Sequence, residues 1–194
     1  MTDQQPDVPD EPAVLTEPAV LAELARDIDR VCRLEGEFVV RSGAVVPEYF
    51  DKYLFESDPV LLRRVAEAMV RLVPDDTDLL GGLELGGVPI ATMMSSLTGL
   101  PALFVRKAPK AYGTRRLAEG ADVDGRRITL VEDIVTTGGA VRDATAVLRE
   151  QGATVEVVVC TIDRSEPGAN RLHELGLQTR SVLTRADLDR ARTA

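Results

Sequence analysis

The chain has 194 residues, 44% of them apolar and 28% charged, enough to bury most of its unfolded surface in one core or two small ones. With 32 acidic against 23 basic side chains the formal charge is -9, so most of the surface repels phosphates, which excludes a general nucleic-acid or membrane-surface binder. No apolar run approaches the roughly 18 residues that cross a bilayer, and the first turns of sequence lack the basic start and apolar centre of a signal peptide, so a cytoplasmic chain is expected.

Residues 1–18 hold four prolines among several acids and read as a disordered tail, which leaves 19–194 as a single domain. Val20, Leu21, Leu24, Ile28 and Val31 recur at helical spacing and predict a helix over 19–34. Two short strands, at 38–40 and 48–51, flank the turn residues Ser42 and Gly43. Asp58 and Pro59 then open an amphipathic helix to about residue 73, a polar cap followed by a first-turn proline. From Thr77 onward apolar runs at 78–83, 101–105, 127–132 and 154–162 alternate with helical stretches at 87–99, 139–151 and 168–175. That alternation predicts an α/β fold with a parallel sheet covered on both faces and ligands at the carboxyl ends of the strands.

Cys32 and Cys160 stand far apart in apolar stretches and read as buried free thiols. His173, the single histidine, lies in an amphipathic stretch and reads as a solvated side chain, so a histidine triad or histidine-rich metal site has little to be built from.

The chemistry concentrates between residues 127 and 141, where an apolar strand runs into Glu132 and Asp133, then Ile134, Val135, Thr136, Thr137, Gly138, Gly139 and Ala140 at the start of a periodic helix. Glycines let the backbone turn and aim several N–H groups at one point, to which the helix terminus adds positive partial charge. A phosphate fits such a cup, and two carboxylates one step earlier suit a vicinal diol, so the combination suits a ribose 5-phosphate. A second segment, 106–116, carries Arg106, Lys107, Lys110, Arg115 and Arg116 without an acid inside an acidic chain, which marks a polyanion site on a loop of lid length.

The first of these segments resembles the phosphoribosyl pyrophosphate (PRPP) signature of the type I phosphoribosyltransferases. The second is similar to the basic loop of the orotate phosphoribosyltransferases, with Tyr112 where many relatives carry histidine. Arg41, Ser42 and Gly43 followed by Tyr49 and Phe50 resemble that family's first turn and aromatic strand, with arginine in place of lysine at 41. Asp163 and Arg164, ending the strand at 154–162, resemble its later arginine segment, and residues 82–89 its pyrophosphate-side loop, with glycine at 86 in place of a basic residue. The likeness covers about residues 19–184.

The resemblance implies a type I phosphoribosyltransferase fold: a central, mostly parallel sheet flanked by helices, with a small N-terminal hood at about 19–55 and a core at about 58–184. It implies transfer of phosphoribosyl from PRPP to orotate, giving orotidine 5′-monophosphate and pyrophosphate. Lys107, Lys110 and Asp133 would be catalytic. Arg106, Lys107, Lys110, Tyr112, Glu132, Asp133 and residues 134–140 would bind PRPP, and Arg41, Tyr49, Phe50, Thr136 and Arg164 would bind orotate. Mg²⁺ would be held mainly by PRPP. A homodimer in which loop 106–120 completes the neighbouring site is also implied, with no nucleic-acid or membrane partner. Two alternatives stand beside it: a type I transferase for a purine or uracil, and a PRPP-sensing regulator without turnover.

Overall fold

The structure is a computed structural model that describes residues 17–40, 42–107, 117–166 and 169–193. Arg41, the loop residues 108–116 with Lys110 and Tyr112, and the tail 1–16 therefore lie outside the described residues.

Helix α1 (Pro18–Cys32) starts on proline, whose missing N–H costs nothing there, and buries Leu24, Ala25, Ile28 and Cys32 along one stripe. It runs straight into β1 (Arg33–Val39), which pairs antiparallel with β2 (Val45–Phe50) around a turn at Gly43, φ +84°. These strands are longer than the two short ones expected, because charged and apolar residues alternate along a ribbon with one face partly covered. A short helix α2 (Tyr53–Ser57), absent from the sequence-based expectation, links the ribbon to α3 (Pro59–Val70). Asp58 caps α3, accepting from the N–H groups of Val60 at 2.9 Å and Leu61 at 3.0 Å.

The main sheet follows: β3 (Leu79–Leu83), β4 (Ala102–Val105), β5 (Ala118–Glu119), β6 (Arg127–Val135), β7 (Thr154–Asp163) and β8 (Gln178–Thr184), in the order β5-β4-β3-β6-β7-β8. All neighbours are parallel except β4 and β5. Helix α4 (Glu84–Thr98) follows β3, α5 (Gly139–Glu150) follows β6, and α6 (Arg185–Thr193) closes the described chain. One face of the sheet, through Leu80, Val131, Val159 and Ile162, packs on α1, α3, α4 and α6. The other, through Leu103, Leu130, Val158 and Cys160, packs on α5. Both cysteines are buried free thiols, and His173 is exposed.

Three expectations are corrected. The helix expected at 168–175 is a single 3-10 turn, Leu172–Leu175, entered through Arg171 and left through Gly176, both left-handed. The glycine-rich stretch 82–89 is not a loop: α4 begins at Glu84, so Gly86 and Gly87 sit in its first turn. Strand β6 continues to Val135, three residues past the expected end, because its last residues keep pairing with β7 after β3 has ended. The chain crosses from one side of the sheet to the other between β3 and β6, the kind of switch point where open α/β sheets bind ligands.

Candidate active site

The carboxyl ends of β3, β4 and β6 frame a cleft of about 520 Å³. Its floor is the turn from β6 into α5. Gly138 is left-handed there, φ +68°, and an added Cβ would lie 2.9 Å from Leu172, so both conformation and packing demand glycine. Thr136 and Thr137 are exposed beside it, and the first N–H groups of α5 have no carbonyl partner within the helix. Arg106 and Lys107 stand exposed on the opposite wall. The structure thus brings Arg106, Lys107, Glu132 and residues 134–140 to one cleft.

The roots of the basic loop are tied. Phe104 pairs with Glu119 and Val105 with Ala118, and the Arg106 N–H donates to the Leu117 carbonyl at 2.9 Å. The Glu84 carboxylate accepts from the Lys107 N–H, a contact not foreseen from the sequence. The loop therefore leaves and rejoins the sheet at the cleft's rim, whatever its middle does.

The two acids part company. Glu132 lines the cleft, and its Oε2 is buried without a hydrogen-bond partner. Burial first, then the charge of Asp133, pushes its carboxyl up to about 8. Asp133 is 0% exposed and does not line the cleft. It turns toward the hood, where it pairs with Lys52 and also accepts from the Ile134 N–H. Glu56 faces the same cluster with Oε1 unpartnered, and burial followed by the Asp133 charge pushes it up to about 9. Lys52 and Glu56 carry no motif and were missed by sequence reasoning. The available signal was scarcity, since Lys52 is the one lysine of three that lies outside the basic loop.

Arg164 follows β7 and donates its N–H to the Val135 carbonyl at 2.9 Å, which anchors it at the end of β6. Asp163 shapes the turn by accepting from the Ser165 N–H at 2.9 Å. The Arg164 guanidinium lies 5.3 Å from the Phe50 ring centre, which brings the hood's aromatic strand and the later arginine together. Burial first, then Arg185 and Arg33 nearby, lowers the Arg164 pKa, and it makes no ion pair among the described residues. Tyr49 is partly exposed and stacks on Phe38 at 5.5 Å, one residue away from the Arg164 contact.

An anion cup, a carboxylate pair and a basic rim at a switch point define a type I phosphoribosyltransferase. Residues 56–180 match the phosphoribosyl transferase domain family. An orotate phosphoribosyltransferase from a Nocardioides species is 68% identical over 89% of this chain and 97% of its own length. One from Methanocella arvoryzae is 39% identical over 79% and 87%. The crystal structure of Mycobacterium tuberculosis orotate phosphoribosyltransferase in complex with PRPP superposes with a TM-score of 0.73 at 31% identity, covering 87% of this chain and 98% of that one. The chain belongs to the orotate phosphoribosyltransferase family. No helix among the described residues is long and apolar enough to cross a membrane.

Proposed function

We propose that this chain transfers the 5-phosphoribosyl group of PRPP to orotate, giving orotidine 5′-monophosphate and pyrophosphate, a step of pyrimidine nucleotide synthesis. The observation that carries the reading is the meeting, at one strand end, of the anion cup at 136–140 with an arginine that is unpaired among the described residues, stacked on Phe50. The cup takes the 5′-phosphate of the ribose through backbone N–H groups and the threonine hydroxyls. Arg164 takes the orotate carboxylate, a group that purines and uracil lack, and this favours orotate over the other bases.

In the reaction the orotate N1 forms a bond to the ribose anomeric carbon as the carbon–oxygen bond to pyrophosphate breaks. The electron pair leaves with pyrophosphate, and the N1 proton passes to the departing group or solvent. Positive charge grows on the ring and negative charge on the leaving group. Arg106 and Lys107, with Lys110 of the same loop, stabilise the leaving group, and Asp133 supplies negative potential to the ring. Glu132, raised toward neutrality by burial, can accept from or donate to a ribose hydroxyl. No group of three or more His, Cys, Asp or Glu among the described residues is arranged to hold a metal ion. Mg²⁺ held mainly by PRPP would supply charge neutralisation on the pyrophosphate, beside Arg106 and Lys107.

The working unit is a homodimer in the cytoplasm. Leu85, 68% exposed, and Phe104, 38% exposed, flank Arg106 and Lys107 in a shallow hollow beside the cleft, an apolar surface suited to a second copy at the loop's root. The test is the loss of orotate's near-ultraviolet absorbance with purified protein, PRPP and Mg²⁺, each omitted in turn. Loss that needs all three, with pyrophosphate formed, is the expected result. No loss while PRPP still binds would assign the site to another base or to a regulator.

A further inference from the structure

The hood and the active-site strand meet at a cluster of four ionisable groups, of which Lys52 and Glu56 have no role in the transfer itself. Lys52, at the start of α2, sends its ammonium to Asp133 of β6, and Glu56, one turn later, faces the same carboxylate. Glu132 adjoins it on the strand, and Glu84 at the start of α4 and the Tyr53 ring complete the charged and titratable surroundings. Three carboxyls within this cluster are thus balanced by one cation among the described residues.

The geometry depends on a glycine. A Cβ added at Gly86 would lie 1.6 Å from Asp133 Oδ2 and 3.1 Å from Lys52 Nζ. Any side chain at 86 would displace the carboxylate, so the glycine in α4 opens the seat that Asp133 fills, and the hood brings a cation to that seat. An ionised carboxylate that is 0% exposed is costly without a partner, and two neighbouring carboxyls make it costlier.

We propose that Lys52 is a positioning residue for the reaction, fixing Asp133 over Gly86 as an anion so that the end of β6 presents negative charge to the ribose of PRPP. The inference rests on the transferase reading for its kinetic consequence, and on the ion pair alone for its physical basis. Lys52 also lowers the pKa of Glu132 and Glu56 through its charge, so its loss favours protons on these two carboxyls. The charge reaches the substrate through Asp133, not through contact with Lys52.

The test is the pH profile of kcat/KM for PRPP in Lys52→Met and Lys52→Arg. In Lys52→Met the acid limb should move up by about one pH unit, a roughly tenfold loss on that limb, with the orotate KM little changed. Lys52→Arg should restore the limb. A limb that stays in place in Lys52→Met, with only the thermal midpoint lowered, would overturn the proposal, as would an arginine variant no better than methionine.

A second measurement needs neither a folded variant nor turnover. The chain has three lysines, so mass spectrometry can follow acetic anhydride labelling of each one in the native protein. Lys52, held by a buried carboxylate, should acylate about tenfold more slowly than exposed Lys107 at the same pH, and equal rates would overturn the pairing. A wild-type chain that labels as expected but turns over no orotate would sink the transferase reading and leave the ion pair standing.

Discussion

At the scale of single residues, charge and burial separate groups that look alike in the sequence. Glu132 and Asp133 are neighbours of the same chemistry, yet one faces the cleft without a partner and the other is sealed against the hood. The motif made the pair legible, because strand, acids, threonines and glycines follow in a fixed order. The pairing with Lys52 was not legible, since it joins positions 81 residues apart and depends on an unoccupied Cβ position at 86. Glu56 gives a test of the cluster's electrostatics. Its carboxyl titrates near 9 in the folded chain against about 4.5 when unfolded, so below 4.5 both states are protonated and no penalty exists. As pH rises from 4.5 toward 9 the unfolded chain sheds a proton that the folded chain keeps, and folding loses stability. Glu56→Gln removes this loss, so its thermal midpoint should exceed the wild type's by an amount that grows across that window and vanishes near pH 4.5. A constant difference at all pH values would place the effect in packing instead. Arg164 makes a separate kinetic prediction. Because its guanidinium stacks on Phe50 and does not line the cleft that holds the cup, Arg164→Ala should raise the KM for orotate about tenfold or more and the KM for PRPP little, as steady-state titration of each substrate would show.

At the scale of elements, local sequence decided those with a strong period or a specific cap. Helix α3 is one: Asp58 satisfies two N–H groups that the helix cannot pair itself, and Pro59 occupies the first turn. Asp58→Ala should cost about 1 kcal/mol in urea unfolding with an unchanged slope, while Asp58→Asn or Asp58→Ser should recover most of it. Elements that were illegible lack such a signal. Strand β8, with the sequence QTRSVLT, lies at the sheet's edge, where Leu183 alone is fully buried, so its apolar alternation is faint. Helix α6 fully buries only Leu188, with Ala191 partly covered, and its place comes from packing on α1 and from Arg192 reaching Glu48 at 2.6 Å. Strand β5 has two residues and owes its existence to the loop it closes. The start of α4 misled for the opposite reason. Gly86, Gly87 and Pro89 read as loop punctuation, but there the glycines permit close approach to β6 and the helix accommodates the proline.

At the scale of the molecule, the site is assembled from parts that no single element holds. The hood contributes Phe50 and Lys52, β6 the acids, the turn from β6 into α5 the cup, the residue after β7 the arginine, and β4 the root of a basic loop that begins and ends on the rim. Such a loop can serve its own cleft or a neighbour's, and the apolar hollow formed by Leu85, Val88 and Phe104 beside its root favours the neighbour. Mixing two defective subunits distinguishes the cases. Lys107→Ala damages the loop, and Arg164→Ala damages the body of the site. If the loop crosses, a mixed dimer has one site built from an intact body and an intact loop, and one with both defects. Random exchange makes half the dimers mixed, so equal amounts of the two variants should recover about a quarter of wild-type activity at low orotate. If each loop serves its own subunit, every site keeps one defect and mixing recovers nothing. Subunit exchange is verified separately, by mass spectrometry of differently tagged chains, so that an absence of recovery in demonstrably mixed dimers means that each cleft is closed by its own chain.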